Sequence, residues 1–179
     1  MSFYGRKRTP FPLLISLLIL VSGCSASKTV FHKPIQHGNR HYDVVEIPDF
    51  AKTSDAWVPY DSSTVIPDMV ADELMANGGY EIKRIKSGGA ALGGRALLLK
   101  GTVINYDPGC KYCEMFIRVN DKGKSSVAVR VKFVDSETGD VVADVEIEGR
   151  ATKPGTGRSR YVRIVNEIVS LVHDIDNKG

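Results

Sequence analysis

Apolar positions along the chain change period several times, and each change predicts an element. Tyr42 to Ile47 carries Val44, Val45 and Ile47 and stops at Pro48, which predicts a first strand. Ser62, Ser63 and Thr64 offer an N-cap, and Ile66, Met69, Val70 and Leu74 then recur at helical spacing until Asn77-Gly78-Gly79. Pro67 is expected in the first turn of that helix, where no intrahelical N–H is required. Tyr80 to Ile85 predicts a peripheral strand.

From Leu97 to Tyr106 both faces are apolar, as in a central strand. Asp107-Pro108-Gly109 breaks it, and Met115 to Val119 predicts a further strand before the turn at Asn120 to Gly123. Val127, Val129, Val131 and Phe133 then place one face of the next strand in the core. Asp135 to Asp140 reads as a hairpin connection with Gly139 at a left-handed or bulge position, and the returning strand carries Val141, Ala143, Val145 and Ile147 inward. Its outward residues Asp144, Glu146 and Glu148 are expected to meet Arg130 and Lys132 across the strands rather than to form a catalytic pair. Tyr161, Ile164, Val165, Ile168, Leu171, Val172 and Ile175 predict a final amphipathic helix. The expected fold is α+β: two layers, a mainly antiparallel sheet with two amphipathic helices on one face.

Before this domain lies a segment of different character. Met1 to Gly23 has a basic lead (Arg6, Lys7, Arg8), an apolar run from Phe11 to Val21 and a small-residue exit, the build of a secretory signal peptide. The run is shorter than the roughly 18 to 20 residues needed to span a bilayer. Val21-Ser22-Gly23-Cys24 resembles the bacterial lipobox. The resemblance implies cleavage before Cys24 and transfer of a diacylglyceryl group to its thiol, giving the residue several palmitate-type acyl chains that together exceed the marginal hold of a single chain. Ser25, a non-acidic residue after the cysteine, implies by the same resemblance an outer-membrane address facing the periplasm. The division that follows is 1–23 lipoprotein signal peptide, 24–41 flexible tether, and 42–176 a single periplasmic domain. Within or beside the tether, His32, His37 and His41 lack a nearby thiol or carboxylate cluster, so no metal is expected there.

Charge adds one exclusion. The formal balance is +3, but Arg6, Lys7 and Arg8 leave with the signal peptide, so the mature chain is near neutral and no bulk preference for nucleic acid is expected.

Three stretches hold candidate chemistry. Cys110 and Cys113, with Cys24 assigned to lipid, form a pair in an oxidising compartment. Strand-like sequence follows at once, whereas a thioredoxin-type centre needs its first cysteine at a helix start, so a structural disulfide is favoured over a redox centre, a metal half-site or free thiols. Trp57 and Tyr60 lie in a long connection, either as partner contacts or packed over the end of the core. Arg158, Arg160 and Arg163 crowd the start of the last helix, where cations meet the positive end of the dipole; an anion or acidic partner is weighed there against ordinary solvated arginines. The glycines of Lys86 to Arg95 lack the phosphate-loop ending, and no nucleophile elbow or zinc-binding helix motif occurs.

Val70-Ala71-Asp72-Glu73-Leu74 leading to Gly79-Tyr80-Glu81-Ile82, Leu99 to Gly109, and Val134 to Val141 resemble a family of uncharacterised bacterial outer-membrane lipoprotein domains. More distantly, the layout is similar to penicillin-binding-protein activator and curli-secretion lipoproteins. The resemblance spans about Tyr42 to Ile175, does not include the Cys110/Cys113 pair, and implies no catalytic residues and no cofactor. The implied location and the missing catalytic motifs lead to the expectation of a lipid-anchored, non-enzymatic binding or assembly accessory of the envelope, whose partner is another envelope protein or peptidoglycan-associated machinery. An envelope thiol-disulfide protein and a purely structural lipoprotein are the alternatives.

Overall fold

The computed structural model describes residues 28–36, 41–53, 62–77, 79–86, 95–109, 125–151 and 158–176. In chain order these form β1 (Lys28–Lys33), β2 (Val44–Pro48), β3 (Ala51–Lys52), α1 (Ser62–Asn77), β4 (Glu81–Ile85), β5 (Ala96–Asp107), β6 (Ser126–Asp135), β7 (Val141–Arg150) and α2 (Arg158–Asp176). The strands make one sheet in the order β1-β7-β6-β5-β2-β4, with β3 alongside β5. The ladders β1/β7, β6/β7 and β5/β6 are antiparallel, whereas β2 runs parallel to both β4 and β5. The early strand, helix, strand order is thus a parallel crossover, and the α+β two-layer expectation holds.

Alternation decides the faces. Val127, Val129, Val131 and Phe133 of β6 are fully buried, and the register sets Val131 against Val145 and Val129 against Ile147 on the same side. That side meets Ile66, Val70 and Leu74 of α1 and Ile164, Ile168 and Val172 of α2 in one core. Lys132 and Arg130 point the other way, so the opposite face of the central strands is polar.

Pro67 departs from expectation and shows why. The helix begins at Ser62, so Pro67 falls in its second turn. Proline cannot donate to the carbonyl four residues back, which leaves the Ser63 carbonyl available, and the Phe50 N–H takes it at 2.9 Å. The Phe50 ring then lies over Gly101 of β5, where a Cβ would sit 2.3 Å from it. The two turns follow expectation: Gly79 after α1 has φ 99° and Gly139 in the β6–β7 hairpin has φ 75°. Buried Asp135 holds that hairpin, accepting from the N–H groups of Glu137 and Thr138 at 3.0 and 3.1 Å and from the Tyr42 hydroxyl at 3.0 Å.

One boundary is corrected. Residues 24–41 read as a flexible tether, yet Lys28 to Lys33 form β1, paired along β7 from Lys28↔Glu148 to Lys33↔Asp144. Backbone hydrogen bonding to an already formed neighbour orders a segment whose own side chains are too polar to announce a strand. The expected strand Met115–Val119 lies outside the described residues.

Candidate functional site

Of the residues singled out in the sequence, Cys24, Trp57, Tyr60, Cys110 and Cys113 lie outside the described residues, as does the side chain of Arg158. Arg160 and Arg163 lie in the first turns of α2 as expected, Arg160 buried and Arg163 half-buried. Arg160 is 8% exposed. Its guanidinium lies 4.7 Å from the Tyr106 ring centroid and 4.9 Å from that of Tyr161. Nη2 donates to the Tyr106 hydroxyl at 2.9 Å and to the Tyr161 hydroxyl at 3.3 Å. The Tyr161 hydroxyl also meets Ser62 Oγ at 2.9 Å, so the starts of both helices and the far end of β5 converge on one cation. Two π-faces and two hydroxyls thus surround the guanidinium of Arg160, the residue weighed as an anion or partner contact.

A second polar cluster closes the opposite end of α2. Asp176 accepts from the Tyr42 N–H at 3.0 Å and from Tyr80 OH at 3.3 Å, and pairs with His41 Nδ1 at 2.9 Å. Tyr80 OH lies 3.4 Å from His173 Nδ1. Burial, reinforced by the charge and hydrogen bond of Asp176, pushes the Tyr80 phenol up to about 12. A phenol held that far above neutral is a fixed donor, not a proton shuttle. On β4, Arg84 donates from Nε to Asp68 of α1 at 2.7 Å and from Nη1 to the Ile47 carbonyl at 2.9 Å, and its Nη2 pairs with Asp49. These three clusters tie elements together. Among the described residues no group of three or more His, Cys, Asp or Glu is placed to hold a metal ion.

The polar face of the sheet carries the remaining chemistry. Lys100, Thr102 and Ile104 of β5 with Arg130 and Lys132 of β6 line an open groove of about 420 Å³. Lys100 stands directly across from Lys132, and Thr102 from Arg130. Next to this basic column, β7 presents Asp144, Glu146 and Glu148. Arg130 grips Asp144 through Nε and Nη2 at 2.8 and 2.7 Å, and that hydrogen-bonded guanidinium holds the Asp144 carboxyl below its ordinary range. The expected cross-strand charge pairing is present here, and His32 of β1 extends it to Glu146 at 3.3 Å. Sequence reasoning missed Lys100. Alternation alone places it on this face, but only the β5/β6 register brings it opposite Lys132.

The outer edge of the sheet carries apolar side chains. β1 pairs with β7 on one side, and Val30 and Phe31 are 39% and 47% exposed. Among the described residues no strand pairs with the other side of β1.

No protein-family model matches the sequence, and no curated protein does. Among solved structures, the chain is similar to PelC from Paraburkholderia phytofirmans, determined as a dodecamer in two crystal forms. One superposes with a TM-score of 0.55 at 16% identity, covering 81% of this chain and 96% of PelC. The other gives 0.55 at 17% identity, covering 79% and 96%. The two proteins share a fold. Solved structures with weaker likeness include a bacterial lipoprotein, GNA1162 from Neisseria meningitidis, at TM-score 0.45 and 12% identity, covering 74% of this chain and 97% of that one.

Proposed function

We propose that the chain is a lipid-anchored, non-enzymatic assembly accessory of the bacterial envelope, held at the periplasmic side of the outer membrane and working as a closed multimer of its own copies. The β1 edge carries this reading. Exposed edge strands are ordinarily blunted by charge, proline or a covering segment; β1 has lysines at its two ends but leaves Val30 and Phe31 in water between them. Among the described residues the other sheet edge is β4, at the far end of the strand order. A contact from the β1 edge of one copy to the β4 side of the next is heterologous, and a repeated heterologous contact closes into a ring when the rotation allows. PelC, which has this fold, was determined as a dodecamer, and that supports a multimeric reading of this chain. The lipobox-like Val21 to Cys24 supports the anchor, and several anchors per ring strengthen membrane attachment by multivalency. The ring would present its copies to an envelope protein or to peptidoglycan-associated machinery.

Native mass spectrometry of the anchored chain in detergent tests this reading. A discrete multimer is expected, and Val30→Glu with Phe31→Glu is expected to convert it to monomers of unchanged circular dichroism. A wild-type chain that stays monomeric at about 10 μM, a concentration at which contacts worth roughly 8 kcal/mol already associate, overturns the proposal.

A further inference from the structure

The pairing of Lys100 with Lys132 sets two exposed like charges side by side, a repulsion of at most about 1 kcal/mol that does not serve the fold. Like charges directly opposite on a sheet face are destabilising, and the packing of these strands is carried by Leu99, Val131 and Phe133 on the other face. Lys132 also lies across from Asp144 and its charge helps to hold that carboxyl low, but both Asp144 oxygens accept their hydrogen bonds from Arg130, leaving the Lys132 ammonium without one from this carboxylate. The positive charge offered to the groove is therefore chiefly that of the two lysines, with the Thr102 hydroxyl beside them and Ile104 at the wall.

We propose that this groove binds a phosphorylated sugar, with its phosphate between Lys100 and Lys132. Lysine ammonium groups act as point charges suited to a tetrahedral dianion, whereas planar carboxylates favour the arginine fork, which is engaged here by Asp144. A volume of about 420 Å³ exceeds what a bare phosphate fills and suits a sugar body. Thr102 supplies a hydroxyl for hydrogen bonding to the sugar, and Ile104 an apolar patch for its ring C–H groups. No aromatic residue is among the described residues lining the groove, so a nucleobase has no stacking platform there. Of the large exposed hydrophobic residues, Phe31, Met75 and Val162 lie on other elements, and Val30 is at the β1 edge, so an acyl chain finds no seat among them. The groove belongs to the central strands β5 and β6 of a single copy, so it is independent of the edge contact proposed above.

Titration of the full chain with glucose 1-phosphate, inorganic phosphate, glucuronate and phosphatidylglycerol vesicles tests the site, read by backbone amide shifts and by thermal melting. Glucose 1-phosphate is expected to shift the amides of Lys100, Thr102, Arg130 and Lys132 and to raise the Tm. Lys100→Gln with Lys132→Gln is expected to weaken its binding by about tenfold or more, while the unliganded variant melts no lower than wild type because a repulsion has gone. Lys100→Glu, which gains an ion pair with Lys132, provides a second folded variant and is also expected to lose binding. The proposal is overturned if glucose 1-phosphate causes no shifts, if it binds no better than inorganic phosphate, or if glucuronate binds equally well. Vesicle capture that depends on the two lysines overturns it in favour of a lipid headgroup.

Discussion

Arg160 sits where a cation is least welcome, in the first turn of α2, whose N-terminal end is electropositive and carries no acidic residue. The Tyr106 and Tyr161 rings on either side supply the compensating negative potential, and their hydroxyls accept from the guanidinium. Planarity is what makes this possible: a guanidinium stacks and donates at once, whereas an ammonium does one or the other. Arg160→Ala is therefore expected to destabilise the domain by about 2 to 3 kcal/mol, and Arg160→Lys to recover less than half of that. Urea unfolding measures both. An alanine variant within about 0.5 kcal/mol of wild type, the range of an ordinary surface substitution, would mean that the cluster is incidental.

At the scale of elements, two glycines set how closely layers approach. A Cβ on Gly149 of β7 would meet the Arg160 carbonyl oxygen at 2.3 Å and Ile164 Cγ1 at 2.9 Å, so the first turn of α2 rests on bare backbone. A Cβ on Gly101 meets the Phe50 ring, a side chain that can rotate or be shortened. Overpacking costs about 1 to 3 kcal/mol where neighbours can adjust. Gly101→Ala is expected in that range and to be relieved by Phe50→Leu. Gly149→Ala is expected to cost more, because the whole helix must lift, and no small side-chain change should restore it. Denaturant melts of the three variants decide the order; equal losses would show that α2 yields as easily as one ring. The alternating and helical runs behind these elements were legible because each buries one face: Val127 to Phe133 and Ile164 to Ile175 need no partner to declare their period. Neither glycine announces a close approach, since that depends on an element distant in sequence. The same holds for β1, whose Lys-Thr-Val-Phe-His-Lys carries little apolar signal and is ordered by β7, and for Glu46, fully buried in β2 although its residue type predicts exposure. At the candidate site, Arg130 and Lys132 were readable as outward-facing, but the groove exists only through their register with Lys100 and Thr102.

For the whole molecule, β1 changes what the anchor does. With Lys28 already in the sheet, only residues 25–27 separate Cys24 from the edge strand. An extended residue reaches at most about 3.6 Å, so under the proposed anchor a lipid on Cys24 would hold the start of β1 within about 15 Å of the bilayer surface instead of letting the domain roam on a long tether. In the proposed reading, attachment and orientation would follow from the same cysteine: the edge bearing Val30 and Phe31 would be kept near the membrane, where copies would diffuse in two dimensions and meet at high effective concentration. Cys24→Ser is expected to abolish labelling by a fatty-acid analogue, to leave the larger precursor uncleaved, and to lower the yield of multimer in membrane extracts. Moving the domain away by inserting about ten Gly/Ser residues after Ser27, a flexible spacer of that composition, while keeping Cys24, is expected to preserve labelling and processing but to reduce multimer formation. Normal processing of the serine variant would remove the anchor, and full multimer formation in the insertion variant would show that the short span has no part in bringing the edges together.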